Sequence, residues 1–476
     1  MSEALAMIAL KTDVIASEWT LGRLAGELGL TLSAGAALPV WGIEEDSRLC
    51  GPGDLFIAMP GSQTSGVEFA ADAVERGAVA VAAETDPGVR VPWLPVPSAR
   101  AAAGALADSF FGHPSRRIPL VGVTGTNGKT TTAHLLAQLL PGKVGTIGTM
   151  GVRYGAVVQD SPNTTPGPTA LRRALRSMVD AGCSACVMEV SSHALDQRRA
   201  DGLRFAGAIY TNLTQDHLDY HGTMLAYAAA KARLLAMLSR EAFAVVNAQS
   251  ACSAIATPAR RTTFRAQRVS VSPRGTEFDW HGRRMRTSLV GSHNAENALA
   301  ALEAAAALGV SEEEAAARLA AAAPVRGRLE VIAREPALVV VDYAHTDDAL
   351  QNALRALREV TAGPLTVVFG CGGDRDVGKR PRMGAVADRL AHRVIVTNDN
   401  PRSEDPARIA EQICRGIPRK DVTVILERRA AIEEAVLGAR PGGCVLIAGK
   451  GHETVQILGD RKIPFDDAEE ARRALA

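Results

Sequence analysis

The chain has 476 residues, too many for one hydrophobic core, so two or three domains are expected. Hydrophobic residues make up 47%, which excludes a largely disordered chain. With 53 basic against 52 acidic residues, nothing in the charge balance would draw a nucleic acid or an anionic membrane. Seven cysteines make no disulfide framework in a chain of this length. Cys183 and Cys186, a lone Cys-x-x-Cys in an apolar stretch, read as buried structural thiols rather than a zinc or redox pair. The stretch Met1 to Asp13 lacks a basic flank and a long apolar core, and no later run approaches a membrane span. A cytoplasmic protein is expected, with neither membrane nor nucleic acid as partner.

In chain order, short strand-like runs come first, Leu55 to Met59 and Ala78 to Ala83, set among helical segments and turns. Phe111 to Arg117, with its glycine and proline, breaks the preceding helix and predicts a domain boundary near Arg117. A strand over Ile118 to Val123 then runs into a glycine-rich turn and a helix over Thr130 to Leu140. Short β-branched strands follow at Val187 to Val190, Ala208 to Thr211 and Ala244 to Asn247. One long helical region is predicted from Asn294 to Ala322. After a break near Arg326 to Leu329 a second alternating series begins. Its strands are Leu338 to Val341, Leu365 to Phe369, Arg393 to Thr397, Val422 to Leu426 and Cys444 to Ala448, with helices such as Asp347 to Val360 and Pro406 to Arg415. Strand–helix alternation implies α/β architecture with parallel, doubly wound sheets. The expected domains are residues 1–117, 118–328 and 329–476.

The turn reads Val-Gly-Val-Thr-Gly-Thr-Asn-Gly-Lys-Thr-Thr-Thr from Val121 to Thr132. Strand, glycine loop and helix together aim backbone N–H groups and a helix N-terminus at phosphate. Gly125, Thr126, Asn127, Gly128, Lys129, Thr130 and Thr131 are the expected nucleotide contacts. Lys129 would neutralise phosphate charge and the Thr130 hydroxyl would ligate Mg²⁺. Val123 stands where the usual pattern has its first glycine, so this is a variant loop.

Glu189, at the tip of an apolar strand, sits where a Mg²⁺ ligand is expected in such a sheet. The run Thr211 to Gly222 packs two His and two Asp into a loop after a strand. His217 is the expected second metal contact, ahead of His221. Lys231 in Tyr-Ala-Ala-Ala-Lys poses a problem, because an ammonium group is repelled by a metal ion.

Four motifs, taken together, resemble the Mur ligase family. They are Gly-Thr-Asn-Gly-Lys-Thr-Thr, Met-Glu-Val-Ser-Ser-His-Ala-Leu-x-Gln, Thr-Asn-Leu-Thr-x-Asp-His-Leu-Asp-Tyr-His-Gly and Tyr-x-x-Ala-Lys. The likeness runs over nearly the whole chain. It implies a small N-terminal α/β domain for the UDP end of the substrate, a central P-loop ATPase-like domain and a C-terminal Rossmann-like domain. It also implies that Lys231 is carbamylated by CO₂, which turns a cation into an anionic oxygen ligand. Lys129, Glu189, His217 and Lys231 then form the catalytic set, with Thr130 joining the last three around two Mg²⁺ ions.

The same resemblance assigns the pockets. Ser47, Ser62, Gln63 and Thr64 are the implied uridine and diphosphate contacts, although Ser65-Gly66-Val67 departs from the common Asp-Gly-His. Asn163, Thr164 and Thr165, with Ser191, Gln197 and Arg199, would hold the muramoyl-dipeptide. Asn294, Arg328, Asp342 and His345 match the contacts to ATP. Arg375, Asp399, Asn400, Pro401, Arg402, Gly449 and Glu453 would take the incoming amino acid. The Asp-Asn-Pro-Arg form resembles relatives that select meso-diaminopimelate, whose far carboxylate calls for an arginine. Here Asn398 precedes it, where many relatives have Ser.

The implied reaction is ATP-dependent amide formation between meso-diaminopimelate and the D-glutamate of a UDP-N-acetylmuramoyl-dipeptide, through an acyl phosphate, by a monomer. The alternatives are the same ligation with L-lysine or L-ornithine, a folylpolyglutamate synthetase, and a P-loop protein that binds nucleotide as a regulator. The N-terminal Asp46-Ser47-Arg48 module argues against the synthetase. A regulator would have no need of Glu189, His217 or Lys231.

Overall fold

The computed structural model describes residues 18–30, 32, 35–61, 64–419 and 421–476. Ser62, Gln63 and the stretch Met1 to Asp13 lie outside these residues. The chain divides into two compact units, residues 1–129 with 140–263, and residues 130–139 with 264–476.

The first unit holds two sheets. The smaller has four parallel strands in sequence order, Gly42–Glu44, Asp54–Ile57, Ala80–Ala83 and Trp93–Pro95. Its two middle strands are buried along their whole length, as a parallel sheet covered on both faces demands. Leu55, Ile57 and Leu94 face a core completed by Leu106 and Phe110 of the helix Ala99–Phe110. Phe56 and Val81 face the opposite way, onto Ala70 and Ala73.

The larger sheet has eight strands, with Leu120–Thr124 between Gly207–Tyr210 and Ala185–Glu189. Strand Phe243–Asn247 lies beyond one neighbour and Val144–Gly148 beyond the other, and all five run parallel. Val123 pairs with Glu189, and Thr124 with Tyr210. The glycine loop and Glu189 therefore leave the sheet at one edge, where ligands of open α/β sheets bind. Gly207 shows how tightly the sheet is covered, since a Cβ there would lie 2.2 Å from the Phe243 ring.

The second unit contains a six-stranded sheet in the order Glu330–Ala333, Leu338–Asp342, Cys444–Ala448, Leu365–Phe369, Arg393–Val396 and Thr423–Val424. Its first strand is antiparallel and the other five are parallel. Val340, Val367 and Leu446 face one core, Val341, Val368 and Ile447 the other.

Several expectations needed correction. The helical region from Asn294 to Ala322 is two helices, Ser292–Ala307 and Glu312–Ala321. Gly309, at φ +91°, turns the chain between them, and Ser311 caps the second through the Glu314 N–H. A three-stranded antiparallel ribbon, Gln267–Ser272, Gly275–Trp280 and Arg283–Thr287, had no place in the sequence reading. Its outer strands are largely exposed, so hydrophobic periodicity gave no signal. The strand expected over Val422 to Leu426 shortens to Thr423–Val424.

A buried ion pair ties this sheet to its loops. Arg428 and Asp467 are fully buried, and both Asp467 oxygens accept from the guanidinium at 2.7 Å. The same guanidinium donates to the carbonyls of Asn398 (3.0 Å) and Ala448 (2.9 Å), where the two loops after strands Arg393–Val396 and Cys444–Ala448 begin. Removing one partner of a buried pair strands the other charge, at a cost of about 3–5 kcal/mol. Asp467→Ala is expected to lose that much in denaturant unfolding. A loss below about 1 kcal/mol would show that Arg428 is not held by this pair.

Candidate functional site

In the first unit the glycine loop is shaped by close approach. A Cβ on Gly125 would lie 1.9 Å from the Thr211 hydroxyl, and Gly128 has φ +83°. Asn212 braces the turn by accepting from the Asn127 N–H at 2.9 Å and donating to the Asn127 carbonyl at 3.1 Å. The helix Lys129–Leu139 starts directly after the loop.

Two lysines meet at this loop. Lys129 Nζ donates to the carbonyls of Gly125 (3.0 Å) and Thr126 (2.9 Å). Lys231 Nζ donates to the same Gly125 carbonyl at 2.7 Å and lies 4.7 Å from the centre of the Tyr227 ring. Lys231 is 1% exposed. Its burial, with Lys129 beside it and Asp216 opposing, holds its pKa well below the ordinary lysine value. A neutral amine is therefore accessible there.

Glu189 is 2% exposed, and Gly148 makes room for it, since a Cβ there would lie 2.2 Å from Glu189 Oε1. Its carboxylate accepts from the Thr149 N–H (2.9 Å) and hydroxyl (3.2 Å). The Thr149 hydroxyl also meets that of Thr164 at 3.2 Å, and Thr165 donates its hydroxyl proton to the Glu189 carbonyl at 2.9 Å. The Thr164-Thr165 loop is thus tied to the strand end. Ser191 caps the helix Ser192–Asp196. Arg199 donates to Gln197 Oε1 (2.7 and 3.0 Å) and to the Thr165 carbonyl (2.7 Å). Asn163 is exposed.

His217 has φ +52° and its ring lies 4.8 Å from that of His193, which is 5.5 Å from His221. Partial burial lowers the pKa of all three, to about 4 for His193, so the cluster is neutral at physiological pH. Sequence reasoning did not single out His193, whose neighbouring His217 and His221 rings lie more than twenty residues away. Among the described residues no group of three or more His, Cys, Asp or Glu is arranged to hold a metal ion. The side chains gathered here supply the carboxylates of Glu189 and Asp216, hydroxyls and imidazole, while a hard cation prefers oxygen. An anionic oxygen on Lys231 would complete such a set.

In the smaller sheet Ser47 is buried beside Asp46, which caps the turn Ser47–Leu49. Thr64 is exposed, and its carbonyl accepts from the Gly61 N–H at 2.9 Å. Glu45 escaped the sequence reading. One of its oxygens accepts from the Thr169 N–H (3.2 Å) and hydroxyl (3.3 Å), which links it to the helix Pro168–Asp180. The neighbouring Glu44 pairs with Arg173 of the same helix at 2.7 Å.

The second unit holds the other candidates. Arg328 donates to the Thr130 hydroxyl at 3.2 Å, and its guanidinium carbon lies 4.9 Å from the Tyr343 ring centre. Asn294 is buried, donating to the Val290 carbonyl at 2.8 Å and accepting from Asn297 at 2.9 Å. Asp342 accepts from the N–H groups of Leu329 (2.7 Å) and Ala344 (2.8 Å), and His345 meets the Tyr343 carbonyl at 2.9 Å.

At the C-terminal edge of the six-stranded sheet, Asn400 donates to Glu453 Oε2 at 2.8 Å. Arg402, at φ +52°, donates to the Gly373 carbonyl at 2.8 Å. Gly449 allows Asp399 to approach, because a Cβ there would lie 2.4 Å from Asp399 Oδ2. Pro401 is buried, and Arg375 is exposed on the loop before the helix Lys379–Leu390. Lys450 was not among the expected acceptor contacts, although its fully buried amine lies among these residues.

All seven cysteines are free and six are buried, with burial pushing the Cys186 thiol upward. No helix among the described residues is long and apolar enough to cross a membrane.

Residues 39–111 match the Mur ligase family catalytic domain, 123–305 the Mur ligase middle domain and 327–451 the Mur ligase glutamate ligase domain. The chain is 45% identical over 474 residues to a UDP-N-acetylmuramoyl-L-alanyl-D-glutamate–2,6-diaminopimelate ligase of Synechococcus elongatus, covering 92% of this chain and 94% of that protein. It is 43% identical to the ligase of the same name from Geobacillus thermodenitrificans, covering 94% and 97%. A solved structure of a ligase of that name superposes with a TM-score of 0.68 at 33% identity, covering 96% of this chain and 99% of the other.

Burial pushes the Glu45 carboxyl up to about 7, against the opposing pull of the Thr169 hydrogen bonds and Arg199. Between about pH 4.5 and 7 the folded protein keeps a proton that the unfolded chain has released, so stability falls as pH rises through that window. Glu45→Gln removes this slope. By denaturant unfolding it should match the parent at pH 5 and exceed it at pH 8 by about 1–3 kcal/mol. Equal pH slopes in the two proteins would refute the assignment.

Proposed function

Because the chain belongs to the Mur ligase family, we propose that it is an ATP-dependent amide ligase of peptidoglycan synthesis. It adds meso-diaminopimelate to the D-glutamate of UDP-N-acetylmuramoyl-L-alanyl-D-glutamate. The observation that carries this reading is the 45% identity, over 92% of the chain, to a ligase named for that reaction. The Asp399-Asn400-Pro401-Arg402 loop supports the acceptor, since Arg402 and Asn400 offer donors to a carboxylate and Glu453 an oxygen to an ammonium group.

Residues 1–117 take the UDP end, 118–328 the ATP and 329–476 the amino acid. The protein works in the cytoplasm as a monomer. Backbone N–H groups of Gly125 to Thr131 and the Lys129 amine cradle the β- and γ-phosphates. Asn294 holds the adenine, Asp342 and His345 the ribose side, and Arg328 a phosphate. Thr130, Glu189, His217 and a carbamylated Lys231 would hold two Mg²⁺ ions, which would supply charge neutralisation at the transferring phosphoryl group. The depressed pKa of Lys231 supports carbamylation, because the neutral amine is the form that attacks CO₂.

The D-glutamate carboxylate, held with the rest of the peptide by Thr164, Thr165, Ser191, Gln197 and Arg199, takes the γ-phosphoryl group and ADP departs. The amine of diaminopimelate then attacks the acyl phosphate, and inorganic phosphate leaves with loss of the amine proton. No protein nucleophile is needed, so positioning and charge complementarity carry the rate.

Phosphate release should require ATP, the UDP-dipeptide and diaminopimelate together, with lysine and ornithine poor substitutes. Arg402→Ala should raise the KM for diaminopimelate about tenfold or more, and an unchanged KM would overturn the choice of acceptor. Lys231→Ala should lower kcat by about a hundredfold or more, and formate or acetate should restore part of it by replacing the missing carboxylate. Full activity of Lys231→Ala without added carboxylate would remove the carbamate from the mechanism.

A further inference from the structure

The Lys450 ammonium group is fully buried, and three acceptors take its three protons. Nζ donates to Asn400 Oδ1 at 3.1 Å, to Glu453 Oε2 at 3.0 Å and to the Val455 carbonyl at 2.6 Å. It sits between Gly449 (φ +114°) and Gly451 (φ +54°), in a turn that other residues adopt with difficulty. A solvated loop lysine needs neither the glycines nor the burial.

An ammonium group can only donate, so it dictates which end of the Asn400 amide turns inward. The oxygen faces Lys450 and also accepts from the Ile457 N–H at 3.0 Å. The Nδ2 group must then face the other way, where it donates one proton to Glu453 Oε2. Glu453 Oε2 is thereby spent on Lys450 and Asn400, while its side chain remains 31% exposed. The loop therefore offers an acceptor amino acid an N–H donor and a carboxylate oxygen in fixed places. Without Lys450 the amide would keep only the Ile457 N–H and Glu453 Oε2 to hold it, and the carboxylate would lose its counter-charge.

We infer that Lys450 is a positioning residue for the acceptor: it fixes the orientation of Asn400 and Glu453, and so selects an amino acid whose far end carries both an ammonium and a carboxylate group. The inference rests on the ligase reading above.

The test compares the intact wild-type enzyme with Lys450→Met, Asn400→Ala and the double variant, in phosphate release with diaminopimelate or lysine. Lys450→Met should raise the KM for diaminopimelate about tenfold or more, as loss of a charged hydrogen bond does, with kcat and the KM values for ATP and UDP-dipeptide nearly unchanged. Its preference for diaminopimelate over lysine should fall by a similar factor. The double variant should resemble Asn400→Ala within about threefold, because both changes remove one arrangement. Multiplying effects, an intact preference or equal changes in all three KM values would overturn the inference. Folding is read from the thermal shift with ATP, and Lys450→Gln replaces Lys450→Met if the latter does not fold. Should neither fold, Lys450 is a structural residue and the inference fails. If the wild-type enzyme prefers lysine, it is the acceptor reading that fails, whatever the variants do.

Discussion

Two lysine amines converge on one carbonyl oxygen, that of Gly125, and much of the first unit is arranged around that meeting. Like charges so close, one of them buried, cannot both persist cheaply at low dielectric. Lys231, on the buried side, is the one driven toward neutrality. Lys129, half-buried at the start of its helix, is the less enclosed of the two. The loop's glycines are part of the same constraint, because any side chain at Gly125 would push Thr211 away and open the turn. Glu189 reaches the same sheet edge through strand pairing with Val123 and through the space that Gly148 leaves.

The second unit resolves a buried lysine in the opposite way. Lys450 is as deeply buried as Lys231, yet a carboxylate, an amide oxygen and a backbone carbonyl surround it. Surroundings of that kind satisfy all three donors of the amine and make it an anchor, whereas burial beside Lys129 drives Lys231 toward neutrality. Arg428 follows the Lys450 pattern. Beside its pair with Asp467 it donates to the Asn398 and Ala448 carbonyls, where two loops leave the sheet.

Much of this was legible from local pattern. The strands Leu365–Phe369 and Cys444–Ala448 and the helix Asp347–Val360 have the limits that periodicity predicted, because each has continuous apolar or amphipathic spacing between clear caps. Motif spacing also put Glu189 at the end of a strand, Asn400 and Glu453 in the loops just after strands, and Lys129 between a strand and the helix that follows. The structure has Lys129 as that helix's first residue. The ribbon between residues 267 and 287 was not legible, since exposed strands gain from cross-strand pairing rather than from burial. Glu45, His193 and Lys450 were missed for a common reason. Each has at least one partner distant in sequence, Thr169 for Glu45, His217 for His193 and Asn400 for Lys450, and a single Glu, His or Lys in a turn is ordinarily solvated.

The sequence by itself determined the α/β class, the glycine loop between strand and helix and the residue types at each strand end, because strand alternation, glycine placement and motif spacing are properties of neighbouring residues. Only the tertiary structure decided the charge states and orientations that make those residues useful. Which lysine is driven toward neutrality, which carboxyl is pushed up to about 7 and which way the Asn400 amide faces all depend on burial and on partners brought from elsewhere in the chain.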